Sequence, residues 1–257
     1  MRERLTQNIT TIERLCTKHR LLSKLPANDR QRIARKMRLV SLKPFQRLYD
    51  VSGVITDVFF PVSAVLFFLG TTMEGYVVEV GQIGSEGIAG VEVAMRTRFA
   101  GMSLMRAAIE VPGVALQMKA EDFAEEVECY ASVNRWVRRY IGFFLAQLQF
   151  LIACNRHHPV EQRGARWLLS LQDRTRSRDL ALTQQHFADM LGVTRQTADR
   201  LLADFEAATI LDNRRGAVTI KDRSKLLDRA CDCYHSLAKR LKTLFADQET
   251  TPGGAEA

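Results

Sequence analysis

Apolar residues recur at helical spacing at the start of the chain, at strand spacing in the middle, and at helical spacing again to the end. Residues 5–39 read as helical, with Leu5, Ile9, Ile12 and Leu15 on one face, then Leu21, Leu22 and Leu25. "LPANDRQRIARKM" follows, with Pro26 at a helix start and Asn28 or Asp29 able to cap it. From about Leu42 the period changes. "RLYDVSGVITDVFFPVSAVLFFLGTTMEGYVVEVGQIGSEGIAGV" is rich in Val, Phe and Ile and broken by Gly and Pro about every ten residues, and "LMRAAIEVPGVALQMKAEDF" continues it. Short strands with regular turns predict a β-barrel or jelly-roll.

The period becomes helical again at Asp122. One long helix is predicted over 122–158, ended by Pro159. Val137, Ile141, Phe144, Leu148 and Leu151 follow a 4-3-4-3 spacing, a coiled-coil seam suited to a second copy of the chain. A second stripe, Val133, Trp136, Tyr140 and Phe143, is left to cover the β-domain. "VEQRGARWLLSLQDR" is a further helix, "NRRG" before "AVTI" a turn and strand, and "RSKLLDRACDCYHSLAKRLKTLF" an amphipathic helix. The tail from 247 is small and polar and predicted to be disordered. The expected fold class is therefore α+β. Its expected segments are 1–40 (helices), 41–121 (β-domain), 122–158 (long helix), 159–222 (helical domain with a strand pair), 223–246 (C-terminal helix) and 247–257 (tail).

The stretch "LTQQHFADMLGVTRQTADRLLADF" (182–205) carries the most specific signal. Thr183 can cap one short helix with inner face Phe187, Met190 and Leu191, and Gly192 can supply a left-handed turn residue. Val193 plugs the corner. Thr194 caps a second helix with inner face Ala198, Leu201, Leu202 and Phe205, which leaves Arg195, Gln196 and Arg200 outside. This is helix-turn-helix spacing, in which the start of the second helix enters the major groove. Arg suits guanine O6/N7 and Gln suits adenine N6/N7. Residues 210–220, with Arg214-Arg215-Gly216, supply a wing.

These residues, "QRGARWLLSL … LALTQQHFADMLGVTRQTADRLLADFEAATILDNRRGAVTI", resemble the DNA-binding domain of the Crp/Fnr transcription regulators. The order of β-domain, long helix and winged helix extends the resemblance over most of the chain. It implies an N-terminal β-roll sensor of the cyclic-nucleotide-binding type, a long dimerisation helix and a C-terminal winged helix-turn-helix. It implies a homodimer reading a near-palindromic site on double-stranded DNA, with RNA polymerase as a further partner. Carried over residue by residue, Thr183 and Gln185 hold phosphates, Thr194 and Thr197 touch backbone or base, and Arg195, Gln196 and Arg200 read bases. The family usually has Glu where this chain has Gln196, which moves the expected preference from cytosine towards adenine.

The sensor is less legible. The family's cyclic-nucleotide cassette is Gly-Glu followed about ten residues later by Arg-Ser/Thr/Ala-Ala. Here Glu86 precedes Gly87, and Arg106-Ala107-Ala108 lies about twice too far away. Glu86, Gly87, Arg106 and Ala107 are thus candidate effector residues of a degenerate cassette; a cyclic nucleotide is disfavoured and the effector is unassigned. An iron–sulfur sensor needs clustered thiolates, and Cys16 stands alone near the N-terminus. Lone His residues say nothing for or against haem.

Cys16, Cys129, Cys154, Cys231 and Cys233 are odd in number and scattered, which fits reduced thiols. Cys154 and His157 share a helical face, but the reading preferred is a seam thiol beside a solvated His. On a continuous helix Cys231 and Cys233 would lie about 200° apart and could not ligate one ion. No metal site is expected.

Net charge is +8, unevenly placed: +10 over residues 1–47, −8 over 48–134, +4 over 135–159 and only +2 over 160–221. Bulk charge alone therefore does not mark the winged helix as a DNA binder; residue spacing does. The opposite signs of the first two segments predict that residues 1–40 pack on the β-domain. No signal-peptide core or membrane span is present, so a cytoplasmic protein is expected. The sequence has no nucleophile elbow, Walker loop, H-E-x-x-H or dinucleotide fingerprint, so no enzyme is expected. The reading is a sequence-specific transcription regulator. The alternative is a cyclic-nucleotide-binding module whose DNA contacts are secondary.

Overall fold

The computed structural model describes residues 2–71, 73–74, 77–95 and 101–246. Helices α1 (Arg2–Lys18) and α2 (Ala27–Arg35) are joined by a short 3-10 turn, Leu22–Lys24. Ile12, Leu15, Cys16, Leu21, Leu22 and Leu25 enter one core with Val58, Phe60 and Leu116 of the sheets that follow. The buried face begins at Ile12, since Ile9 is exposed; the side chain of Leu5 lies outside the described residues. The basic segment finds its acidic partners mainly on α3 (Ala120–Cys129), where Arg32 Nε reaches Glu126 Oε2 at 3.0 Å and Lys36 Nζ reaches Glu125 Oε2 at 2.8 Å.

Between α2 and α3 the described residues form seven strands: β1 (Met37–Leu42), β2 (Arg47–Tyr49), β3 (Asp57–Pro61), β4 (Val65–Thr71), β5 (Val77–Ile83), β6 (Arg106–Val111) and β7 (Gly113–Lys119). They form two antiparallel sheets, ordered β1-β7-β3 and β2-β6-β4-β5. Residues 65–69, "VLFFL", are buried without a break, because both faces of β4 are covered. Leu66 and Phe68 face the core shared with the N-terminal helices. Val65, Phe67 and Leu69 face a second core, made largely by the C-terminal half of the chain.

The predicted helix over 122–158 is two helices, α3 and α4 (Ala131–His157). Tyr130 between them is extended (φ −123°, ψ 111°), and Asn134 Nδ2 donates to Val127 O at 2.9 Å across the bend. On α4 the predicted seam turns inward. Val137, Phe144 and Leu151 are buried within the chain, with the Phe144 ring 5.1 Å from that of Phe68, and Ile141 and Leu148 are half-buried. Within the single chain this stripe packs against the β-domain. The open face lies one residue on, where Leu145 is 60% and Ile152 68% exposed.

After Pro159 come α5 (Val160–Thr175), β8 (Asp179–Ala181), α6 (Gln184–Leu191), α7 (Arg195–Ala207), β9 (Leu211–Arg214) and β10 (Ala217–Ile220), with sheet order β8-β10-β9. The predicted C-terminal helix is also divided, into α8 (Arg223–Asp228) and α9 (Cys233–Phe245). Asp222 Oδ1 caps α8 by accepting from Lys225 N at 3.1 Å, and the chain then turns through residues 229–232 before α9 begins. Cys231 thus lies in neither helix, and the angular separation expected for Cys231 and Cys233 does not apply. Among the described residues no helix is long and apolar enough to cross a membrane.

Candidate nucleic-acid interface

Two threonine caps set the two helices of the motif. Thr183 Oγ1 accepts from His186 N at 3.1 Å, and Thr194 Oγ1 accepts from Thr197 N at 3.2 Å. Each satisfies a backbone donor that the first helical turn leaves orphaned. Gly192 at φ +63° makes the corner, a conformation costly for any residue with a Cβ. Below the motif, α5 approaches so closely that a Cβ on Gly164 would lie 2.6 Å from Leu201 Cδ2. Trp167, Phe187, Leu202 and Phe205 fill the core there.

What remains outside is polar. Arg195, Gln196 and Arg200 are exposed at the start of α7, as are Thr183, Gln185 and Thr194 on the same side of the motif, while Thr197 is half-buried. Within the chain these groups make weak or local bonds. Arg195 Nε lies 3.9 Å from Asp199 Oδ2, and Gln185 Nε2 donates to Asp189 Oδ1 at 2.8 Å. The two threonine hydroxyls sit 2.9 Å apart. Gly216 turns the β9–β10 hairpin at φ +78°, with Arg214 and Arg215 exposed at its tip.

The back of the motif is held by the β-domain. His186, on α6, places Nε2 2.7 Å from Glu110 Oε2 on β6, with its ring edge-on to Phe45 and Phe67. Burial pushes the imidazole down, but the hydrogen bond and charge of Glu110 outweigh it, so His186 titrates above its ordinary value. Trp167 Nε1 donates to Glu79 Oε2, and Gln82 Nε2 donates to the same oxygen. Burial raises the Glu79 carboxyl above its usual range. Local pattern gives no signal for His186–Glu110, since the partners are 76 residues apart and pair only through the docking of two domains.

The candidate effector residues do not converge. Glu86 is buried in the turn after β5 with Oε1 2.8 Å from Arg174 Nε on α5. Burial acts to raise its carboxyl, and the neighbouring Arg174 and backbone donors bring it below the usual value. Gly87 lies beside it, where an added Cβ would clash with Ile83. Arg106 instead bonds Asp50 Oδ1 at 2.7 Å, and Ala107 is wholly buried. The split is geometric: the two halves of the sequence cassette are engaged by different neighbours. Glu86 lines a cavity of about 530 Å³ between the β-domain, α5 and α9, together with Arg20, Arg174, Arg176 and Arg223. Elsewhere the fold gathers four soft donors, Cys154, His158, Cys231 and Cys233. His157, the neighbour suggested by sequence, is exposed.

Residues 162–229 match the model of the Crp-like helix-turn-helix domain. Around that domain, the fold as a whole is the one found in Crp/Fnr regulators. A protein from Eubacterium rectale assigned to the Crp/Fnr family of transcriptional regulators superposes with a TM-score of 0.64 at 18% identity, over 81% of this chain and 96% of that one. FixK2 from Bradyrhizobium japonicum gives 0.63 at 14% identity, over 76% and 98%. A CRP-family transcriptional regulator from Thermus thermophilus gives 0.61 at 16%, over 74% and 96%. No curated protein matches the chain.

Proposed function

We propose that this protein is a sequence-specific transcription regulator of the Crp/Fnr type that binds double-stranded DNA as a homodimer. The observation that carries the reading is the start of α7. A capped helix with a fully buried inner face leaves Arg195, Gln196 and Arg200 exposed together. In the bound state Arg195 and Arg200 read guanine edges, Gln196 reads adenine, Thr183 and Gln185 fix the register on phosphates, and Thr194 and Thr197 touch backbone or base. The second copy is assigned to the open face of α4, around Leu145 and Ile152, because Val137, Phe144 and Leu151 are already engaged within the chain. An effector is assigned to the arginine-lined cavity beside Glu86 rather than to Arg106, and its charge suits an anion. The separation of Glu86 from Arg106 weighs against the cyclic-nucleotide module as the principal function.

The test is selection of bound fragments from random DNA with the full chain. The expected result is enrichment of two inverted half-sites spaced by about one helical turn, roughly 34 Å. Retention of random DNA with no enriched sequence would overturn the reading.

A further inference from the structure

We propose that Cys154, His158, Cys231 and Cys233 form a closed binding site for one zinc ion, at the junction between the long helix and the winged helix. Their ligating atoms all lie within 4.8 Å of one another. Cys154 Sγ is 3.5 Å from Cys231 Sγ, and Cys233 Sγ is 3.6 Å from His158 Nδ1. A tetrahedral zinc ion with Zn–S of about 2.3 Å and Zn–N of about 2.0–2.1 Å separates its ligand atoms by roughly 3.5–3.8 Å. Both distances fall at the short end of that range or just within it, so an ion needs little rearrangement. Three sulfurs and one imidazole are a donor set that favours zinc over hard cations. An iron–sulfur cluster holds its ligands farther apart than one ion does.

The surroundings point the same way. His158 Nδ1 faces the sulfurs, while Nε2 lies 3.6 Å from Asp232 Oδ1. A carboxylate on the far nitrogen is what orients a metal-bound histidine. Three thiolates and a divalent ion carry a net charge of −1, which calls for a cation nearby. Arg163 and Arg166, one turn apart on α5, each have a buried Nε without a hydrogen-bond partner. A Cys154–Cys231 disulfide would need the sulfurs at about 2.05 Å and would leave Cys233 and His158 unused.

The sequence allows this site because the chain breaks twice in the right places. Cys154 and His158 lie at i and i+4 at the end of α4, just before Pro159, and Cys231 lies in the turn that separates α8 from α9. The ion ties the end of the long helix to the C-terminal helix across the hinge that carries the winged domain. With four protein ligands it is a structural site with no open position.

The test uses the full chain purified under reducing conditions. Metal analysis is expected to give about one zinc per chain, and cobalt exchange a tetrahedral spectrum with thiolate-to-cobalt charge-transfer absorption. Cys233→Ser and His158→Asn should each lower zinc content several-fold, while Cys129→Ser, at an exposed thiol outside the site, leaves it unchanged. In case the variants fold poorly, zinc is also stripped from the wild type with a chelator. Thermal stability should fall and return on adding zinc. Four outcomes would each overturn the proposal: wild-type protein with well under about a tenth of an equivalent of zinc and no cobalt–thiolate band, undiminished zinc in both site variants, a thermal stability indifferent to stripping, or stoichiometric iron and sulfide.

Discussion

Helices α6 and α7 are neighbours in one motif, each begun by a capping threonine, yet their outer sides meet different surroundings. The outer side of α7 is open and carries arginine, glutamine and threonine with only weak local partners. The outer side of α6 is held by the β-domain through His186 and Glu110. On the proposed function, α7 is the helix that reads and α6 the one that is held, so the hold can be changed without touching a proposed base-reading residue. The same division runs along α4, where Phe144 is held by the chain's own sheet and Leu145, the next residue, is open.

The largest expected effect comes from testing that division on α4. Leu145→Asp or Ile152→Asp places a charge on the open face, and burying it against a second copy costs several kcal/mol. Such variants should sediment as folded monomers and lose binding to paired half-sites while keeping their circular dichroism. Phe144→Asp should instead unfold the chain, since that ring packs on Phe68. If Leu145→Asp stays dimeric, the open face is not the seam.

Next comes the hold on α6. The His186–Glu110 pair is nearly buried, and a hydrogen bond to a charged group there is worth about 1.5–3 kcal/mol. Because the pKa of His186 is raised on folding, its contribution is fully present below the ordinary value of 6.5 and is lost as pH rises through the raised value. Glu110→Gln should lower thermal stability most at pH 6 and progressively less above it. A penalty that does not change between pH 6 and 9 would show that the pair does not hold the domain through charge. The ratio of specific to random DNA affinity should not move in this variant.

That ratio is where α7 should respond. Arg195→Ala or Arg200→Ala is expected to cost about 1–3 kcal/mol on the enriched site and relax preference at one position per half-site. Thr183→Ala should weaken all sequences nearly alike. An unchanged specificity ratio in Arg195→Ala would remove that residue from the readers.

Much of this division is legible in the sequence, and the parts that are not have physical reasons. The helix-turn-helix is readable because its signals are local: two threonines, a glycine and a 3–4 apolar spacing within 24 residues. On α4, 137, 141, 144, 148, 151 and 138, 142, 145, 149, 152 are both heptad stripes, and within the chain the more apolar one packs against the β-domain. The unbroken apolar run at 65–69 is the signal that both faces of β4 are covered. The four-donor cluster is hidden because the break after α8, which places Cys231 beside Cys154, carries no proline or glycine to announce it.

The smallest expected effect concerns the basic N-terminal segment. Residues 1–40 could serve DNA by their charge, but Ile12, Leu15, Leu21 and Leu22 are buried in the β-domain core, and Arg32 and Lys36 are engaged by α3. The Lys36–Glu125 pair is exposed and contributes little on its own, while Arg32 meets the buried Glu126, and the apolar face adds its burial to that pair. Each phosphate that a protein ceases to neutralise lowers the slope of log affinity against log salt by about 0.9. Deleting residues 1–20 removes Ile12, Leu15 and Cys16 from the core and should lower thermal stability by several degrees. The salt slope should stay within about 0.5 of the wild-type value. A slope reduced by about 1.8 or more, the equivalent of two phosphates, at unchanged stability, would assign this segment to the DNA instead of to the β-domain.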